Sequence, residues 1–498
     1  MTSASALIRL GAAEPCSPWQ RHDLPQDDWA RMVAALAGEP SLALLALWAD
    51  TSQVHALLLD EAAGEPLLAS TTVEAGCYPA LSPARPLAAW FERMVHDLWG
   101  HVATGGTDQR KWLDHGHWQH AAPMALRAGL RGGPSEPPEF LPVDADGLDQ
   151  IPLGPIHGGI EPAAHLHLTG CGDTIVRLEA RLGYTHKGTL TLMRGKSPRA
   201  AARFAARLSG EATVAHAIAF ARATELALHC EVPPRGAALR AVMAELERIA
   251  GHLGVLGAVA DAAGFATDAA SCSRHGEAIH RAADLAFGHR LMMDCVIPGG
   301  VASDAASGGP AAIRRTLDDL ADAWPALERS VSAGIAGGVV TLDQAIRFAA
   351  GGVIGRAAGR MTDVRRSPGY APYADMLLPE APREGVRGGD AAARASLRLA
   401  EIAESARLLR LLLEALPEGA VSVPLPVESG EGVGFAEAAQ GDIWHWLRLD
   451  HGQIASVFMR DPAWAHWPLL ETVSAGTQAE DLALIQASFG LASSGVDL

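Results

Sequence analysis

The chain has 498 residues, 49% of them hydrophobic, and a formal net charge of −17. That is enough apolar material for a large core and more than one domain, and the acidity argues against a nucleic-acid binder, which needs a basic face. No apolar run approaches the ~20 residues of a membrane helix, and Met1-Thr2-Ser3-Ala4-Ser5 lacks a basic region followed by an apolar core, so no signal peptide is read and a cytoplasmic location is expected. The six cysteines are scattered, no two closer than 23 positions, which excludes local CxxC cluster sites and points to reduced thiols.

In chain order, Leu42 to Ala49 and Val54 to Leu59 read as two strands joined at Asp50-Thr51-Ser52. Trp90 to Trp99 reads as a helix ended by Gly100. These elements predict a small α/β domain over residues 1–127. His115, His117 and His120 lie in a polar, Gly-containing stretch and read as exposed loop histidines rather than ligands. Arg131 to Pro142 holds four prolines and two glycines, so residues 128–150 are read as a linker. A large second domain is expected over 151–498. It opens on a hairpin, out through His165-Leu166-His167-Leu168 and back through Ile175 to Leu182. Alanine-rich stretches with apolar residues three and four apart predict helices over 199–229, 236–264, 275–294, 310–333 and 390–416, packed as a bundle. Within them, Glu245 and Glu247 with Arg248 read as ion pairs along a helix face. With a β region near the C-terminus, the expected class is α+β: a small α/β domain followed by a mainly helical one.

Two short motifs carry the most information. Ser209-Gly210-Glu211-Ala212-Thr213-Val214-Ala215-His216 has the frame Cys-Gly-x-Cys-x-x-x-His with both cysteines replaced. Asp461-Pro462-Ala463-Trp464-Ala465-His466 has the frame Asp-Pro-Cys-x-x-Cys, again with both replaced. Around and between them stand Gly154-Pro155-Ile156-His157, Glu161-Pro162-Ala163-Ala164-His165, Gly183-Tyr184-Thr185-His186-Lys187-Gly188, Glu245 to Ile249 with His252, Pro298-Gly299-Gly300-Val301, Gly355-Arg356 with Asp363-Val364-Arg365 and Tyr373, and Gly389-Asp390-Ala391 with Arg394, Arg398, Glu401 and Ser405. In this order they resemble the superfamily that unites nickel–iron hydrogenase large subunits with the D-type subunit of NADH-quinone oxidoreductase. Glu92-Arg93, Asp97-Leu98-Trp99-Gly100, Asp108 and Arg110 resemble the C-type subunit of the same complex. A fused chain of this kind is typical of the hydrogenase-4 and formate hydrogenlyase group, and the ending, Ser488 to Leu498, resembles the uncleaved tail of hydrogenase-4-like subunits.

The departures from that family fall at its centre. Ser209, Ala212, Ala463 and His466 occupy the four nickel-ligand positions, and a nickel–iron centre needs soft thiolates, so no metal is assigned. Gln440 stands where the family commonly has arginine. The quinone-binding tyrosine of the D-type subunit is missing, and its hairpin histidine falls on Glu161, with His165 four residues further on. A carboxylate with a histidine can supply the proton and the donor that a quinone carbonyl needs. The candidates are therefore Glu161, His165 and His216 for catalysis, and His157, Glu161, His165, Ser209, Glu211 and His466 for a quinone pocket. The alternative is that these groups satisfy one another in a decayed site, with His216 tying the motif loop. Arg356, Asp363 and Arg365 are expected to form buried arginine–carboxylate pairs that fix a coupling loop. The resemblance implies an iron–sulfur small subunit of the B type with a 4Fe-4S cluster, membrane antiporter-like subunits, and a ferredoxin-like cluster subunit as partners. It implies a place on the inner face of the cell membrane, passing electrons to quinone with coupled ion movement. A hydrogenase and a non-catalytic scaffold are the rival readings.

Overall fold

A computed structural model describes residues 2–498 except 117, 128, 131–137, 144, 157–162, 332–334 and 379–387. The first sheet has five strands, β1 (Ala12–Pro15), β2 (Gln20–Leu24), β3 (Leu42–Ala49), β4 (Gln53–Asp60) and β5 (Glu65–Thr72), in the order β1-β2-β5-β4-β3. Only the β2–β5 pair is parallel. Helices α1 (Ala4–Arg9), α2 (Gln26–Leu36) and α3 (Ala88–Trp99) accompany it, and α3 ends where Gly100 takes a left-handed conformation. Every residue of β3 is buried, because one face meets α3 and Trp48 stacks on Phe458 of a later sheet at 5.4 Å. A strand covered on both faces reads as a continuous apolar run, as Leu42 to Ala49 does.

A three-stranded antiparallel sheet follows: β6 (Asp149–Leu153), β7 (His165–Cys171) and β8 (Thr174–Arg181). The hairpin is therefore as expected, with one further strand at its edge. The helical part comprises α4 (Pro198–Ala205), α5 (Thr213–Ala227), α6 (Pro234–Ala262), α7 (Ala266–Phe287), α8 (Gly309–Val331) and α9 (Ala391–Glu414). The segment 199–229, expected as one helix, is broken over 206–212, where Ser209-Gly210 sits; α7 starts nine residues earlier than expected, at Ala266.

The last sheet, β9 (Gly430–Glu437), β10 (Asp442–Asp450) and β11 (Gln453–Arg460), is an antiparallel meander. Helix α5 lies on β9 at backbone distance. Gly430, Gly432 and Gly434 face Ala227, Ala223 and Ala219, and a Cβ on any of the three glycines would collide with a carbonyl of the helix. The match is periodic: every second strand residue meets every fourth helix residue. It presses the first motif against the sheet that leads into the second. The chain closes with α10 (Ala463–Ser474), α11 (Leu482–Phe489) and α12 (Ser494–Asp497). Asp497 accepts hydrogen bonds from the backbone of Gly183 (2.6 Å) and Thr185 (2.9 Å), so the tail is fastened to the 183–188 motif.

Candidate functional site

Helix α5 starts at Thr213 with Ala212 as its N-cap, a residue that offers no side-chain acceptor to the first turn. Glu247 of α6 takes that place. Its Oε2 accepts from Val214 N–H at 2.6 Å and its Oε1 from Ala215 N–H at 3.0 Å. This corrects the expected ion pair of Glu247 with Arg248; Glu245 is the residue that lies 3.5 Å from that guanidinium. Burial outweighs the two N–H donors and pushes the Glu247 carboxyl up to about 8.

His216, one turn into α5, is fully buried. Its Nε2 lies 2.9 Å from Asp461 Oδ2 and its Nδ1 2.9 Å from His445 Nε2. A carboxylate only accepts, so Nε2 of His216 donates to Asp461, and Nδ1 shares a second hydrogen bond with His445. Burial first, then His216, holds His445 well below the ordinary histidine value. Asp461 bonds the α10 N-terminus as well, its Oδ1 accepting from Ala463 N–H at 2.8 Å. Burial opposes its ionisation, but His216 and that N–H win and hold its carboxyl below the usual range. One side chain therefore ties the two motifs together. Neither His445 nor Asp461 was singled out from the sequence as its partner.

Ser209, Glu211, Ala212, Gln440, Asp461, Ala463 and His466 line one cavity with Gly490 to Ala492. Its volume is about 10 Å³, room for one water. The four positions that would hold nickel thus meet, but they supply a hydroxyl, two methyl groups and an imidazole. That donor set does not fit a thiolate-bound nickel–iron centre. Among the described residues no three His, Cys, Asp or Glu side chains are grouped to hold a metal ion. His466 is buried, its Nε2 has no partner among the described residues, and burial, then Arg460, pushes its value down to about 3. The native ring stays neutral while the unfolded one protonates from about 6.5 downward. The unfolded state then binds more protons and stability falls with acid. His466→Gln is therefore expected to gain on the wild type by about 1.4 kcal/mol per pH unit below 6.5, read from urea midpoints at pH 7 and pH 4.5; parallel profiles would refute it.

Beside this closed site lies an open cavity of about 620 Å³. Glu211 and Gln440 border both, and Gln440 Nε2 donates to Glu211 Oε2 at 3.3 Å. The walls of the open cavity are the small residues Ala250, Gly251, Gly254 and Ala258 of α6, Leu153 of β6, Leu166 of the hairpin, and Ala487 of α11, with Glu247, His280 and Gln486 as further polar groups. Leu166 lines it and neighbouring strand residues point oppositely, so His165 is on the other face of the hairpin. There its Nδ1 is 3.3 Å from Tyr184 Oη and its ring meets Phe140 edge-on. His157 and Glu161 lie outside the described residues, as does His117. His115 is buried against Tyr184, contrary to the exposed loop position expected of it, and His120 is exposed.

The expected pairs of Arg356, Asp363 and Arg365 belong to a larger buried network. Arg365 binds Asp363 through both Nη2 (2.7 Å) and Nε (3.1 Å), and Glu245 at 3.1 Å. Tyr373 donates to Glu245 at 2.7 Å. Glu401 of α9 receives Arg248 and Arg356, each at 2.6 Å, and lies 3.0 Å from His252. Arg356 reaches on to Glu437 at 2.8 Å. Arg248, Arg356 and Arg365 thus face four carboxylates, and the excess falls on Glu437, which burial and then the Asp363 charge raise to about 7. Burial pushes His252 down to about 4, so its ring stays neutral.

Residues 262–427 match the family described as the respiratory-chain NADH dehydrogenase 49 Kd subunit, and residues 187–254 match nickel-dependent hydrogenase. Hydrogenase-4 component G of Escherichia coli (strain K12) is 28% identical over 82% of this chain and 74% of its own length. The fused C/D-type subunit of NADH-quinone oxidoreductase from Nitrosospira multiformis is 25% identical over 84% of this chain and 78% of its own. A component of the archaeal membrane-bound sulfane sulfur reductase complex shares the fold, with a TM-score of 0.65 at 23% identity, covering 72% of this chain and all of that one. Over most of its length the chain is thus similar to nickel–iron hydrogenase large subunits and to the D-type subunit of NADH-quinone oxidoreductase, including a relative in which the C and D types are fused.

Proposed function

We propose that this chain is the peripheral catalytic subunit of a complex I-like, hydrogenase-4-like membrane oxidoreductase that passes electrons to quinone rather than to a nickel–iron centre. One observation carries the reading. The metal position has closed to about 10 Å³ without a thiolate, while an apolar-walled cavity of about 620 Å³ opens beside it and shares Glu211 and Gln440 with it. That volume is in the range of sites for small organic ligands. A 4Fe-4S cluster in a B-type partner would deliver electrons one at a time, and membrane antiporter-like subunits would use the energy for ion movement. No helix among the described residues is long and apolar enough to cross a membrane. A peripheral attachment through partners, on the inner face, agrees with that.

Reduction of a quinone to a quinol takes two electrons and two protons. Gln440 Nε2–H can donate to one carbonyl oxygen. Glu247, whose carboxyl keeps its proton at neutral pH, stands on the cavity wall as a proton holder. We therefore move the hairpin's role from His165 to these groups, and retain Glu161 as its candidate for proton transfer. The rival scaffold reading rests on the mutual hydrogen bond of His216 and Asp461, which engages both groups in holding the two motifs together.

The purified complex is to be assayed for nickel and illuminated with a photoreactive quinone. Nickel well below one per chain, with labels on α6 or α11, is expected. Stoichiometric nickel would restore the hydrogenase reading, and labels elsewhere in the complex would favour the scaffold.

A further inference from the structure

At the far end of α5 from the motif loop lies a second cavity, of about 320 Å³, bounded by α5, the start of α6 and the loop at Tyr370. Arg222 lines it. Its guanidinium lies over Tyr370 at 4.4 Å and Phe435 at 4.6 Å, held between two aromatic rings. Its Nε is buried without a hydrogen-bond partner, and no carboxylate among the described residues pairs with it. Glu225, the carboxylate whose charge reaches Arg222, is engaged elsewhere. Glu225 receives both Nη1 (3.0 Å) and Nη2 of Arg240 and the backbone N–H of Gly299 (2.7 Å). Arg240 further donates to Ile297 O at 2.7 Å and Gly300 O at 3.0 Å. The Tyr373 hydroxyl is committed to Glu245. The guanidinium is thus half-buried between two rings with no ion pair of its own among the described residues, and it opens onto space large enough for a small molecule.

We propose that this cavity binds a small organic monocarboxylate whose carboxylate pairs with Arg222. The fork of N–H donors suits a planar carboxylate. Ile218, Leu226 and Val232 provide an apolar wall for a short hydrocarbon body. Glu231, exposed on the cavity's rim, adds a negative charge that disfavours dianions such as phosphate. The volume exceeds that of one acidic side chain, which favours a free ligand over a partner's glutamate. The site is separate from the 620 Å³ cavity and does not depend on what that cavity reduces.

The test is calorimetric titration of the full chain with butyrate and benzoate, against inorganic phosphate at matched ionic strength, repeated on the assembled complex. Saturable one-site binding of a monocarboxylate is expected, weakened by about tenfold or more in Arg222→Met, the cost of one charge-assisted pair. If Arg222→Met does not fold, Arg222→Lys, which keeps the charge and loses the fork, is expected to show a similar loss. No saturable binding, equal affinity in the variant, or tighter binding of phosphate would overturn the proposal. So would binding by the chain that vanishes in the complex, which would identify a partner's acidic group as the occupant.

Discussion

Glu401→Ala is expected to destabilise the folded chain by about 3–5 kcal/mol, the cost of stripping a buried ion network of a shared partner. The reason is the number of groups that converge on one carboxylate. Arg248 and Arg356 each lie 2.6 Å from it, and His252 is 3.0 Å away. After the substitution Arg356 keeps Glu437, but Arg248 is left with the Ala438 carbonyl at 2.8 Å and Glu245 at 3.5 Å. Burial opposes ionisation of Glu401, yet the two guanidiniums win and hold its carboxyl well below the usual range. A depressed carboxyl stabilises above its unfolded value and loses that contribution as pH falls through the folded one. The deficit of Glu401→Ala is therefore full at neutral pH and shrinks in acid. Glu404→Ala, which breaks a surface pair with Arg407, serves as the control and should cost under about 1 kcal/mol. Urea unfolding followed by two probes reads both, and a cost for Glu401→Ala no larger than the control's would refute the network.

Much of this arrangement was legible in the sequence, for identifiable reasons. Leu42 to Ala49 and the helix ended by Gly100 are set by local patterning, and the structure has them at those bounds within two residues. The order of the family motifs located both frames whose cysteines are replaced, and they do line one cavity. The pairing of Arg356 and Arg365 with carboxylates, Asp363 among them, was foreseeable because a buried arginine needs them. What escaped was decided by tertiary contact. Glu247 precedes Arg248, and spacing gave no hint that it would turn away to cap a helix whose own N-cap is alanine. His216 meets Asp461 245 positions later, with no local signal. The break of the 199–229 helix was foreshadowed by Ser209-Gly210, but alanine-rich flanks on both sides masked it. The alternation of β7 separates His165 from Leu166, a consequence of register that the motif resemblance did not contain. The domain bounds 1–127, 128–150 and 151–498 remain a proposal. Arg21 with Glu431 at 2.8 Å and Arg448 with Asp50 at 2.8 Å join the first sheet to the last.

The sharpest functional prediction concerns Gly254. It is exposed on the α6 wall of the 620 Å³ cavity, and a Cβ there would meet nothing within 4 Å. One turn earlier Gly251 differs, since its Cβ would lie 2.9 Å from that of Ala439. A leucine at 254 therefore projects into the cavity without disturbing the packed side of the helix, and replacing a mid-helix glycine relieves about 1 kcal/mol of helix cost. Gly254→Leu is expected to lower kcat/KM for quinone by about 10- to 200-fold, the equivalent of about 1–3 kcal/mol for atoms forced into a fitted site. Thermal stability should stay level or rise. That combination separates a blocked site from a damaged fold, because a destabilised chain would lose both together. Electron delivery to an artificial one-electron acceptor by the same complex should persist, since the change touches the proposed quinone space and not the cluster proposed for a partner. Full quinone turnover in a stably folded Gly254→Leu complex would remove this cavity from the reaction, and with it the assignment of Gln440 and Glu247 as the groups that meet the quinone.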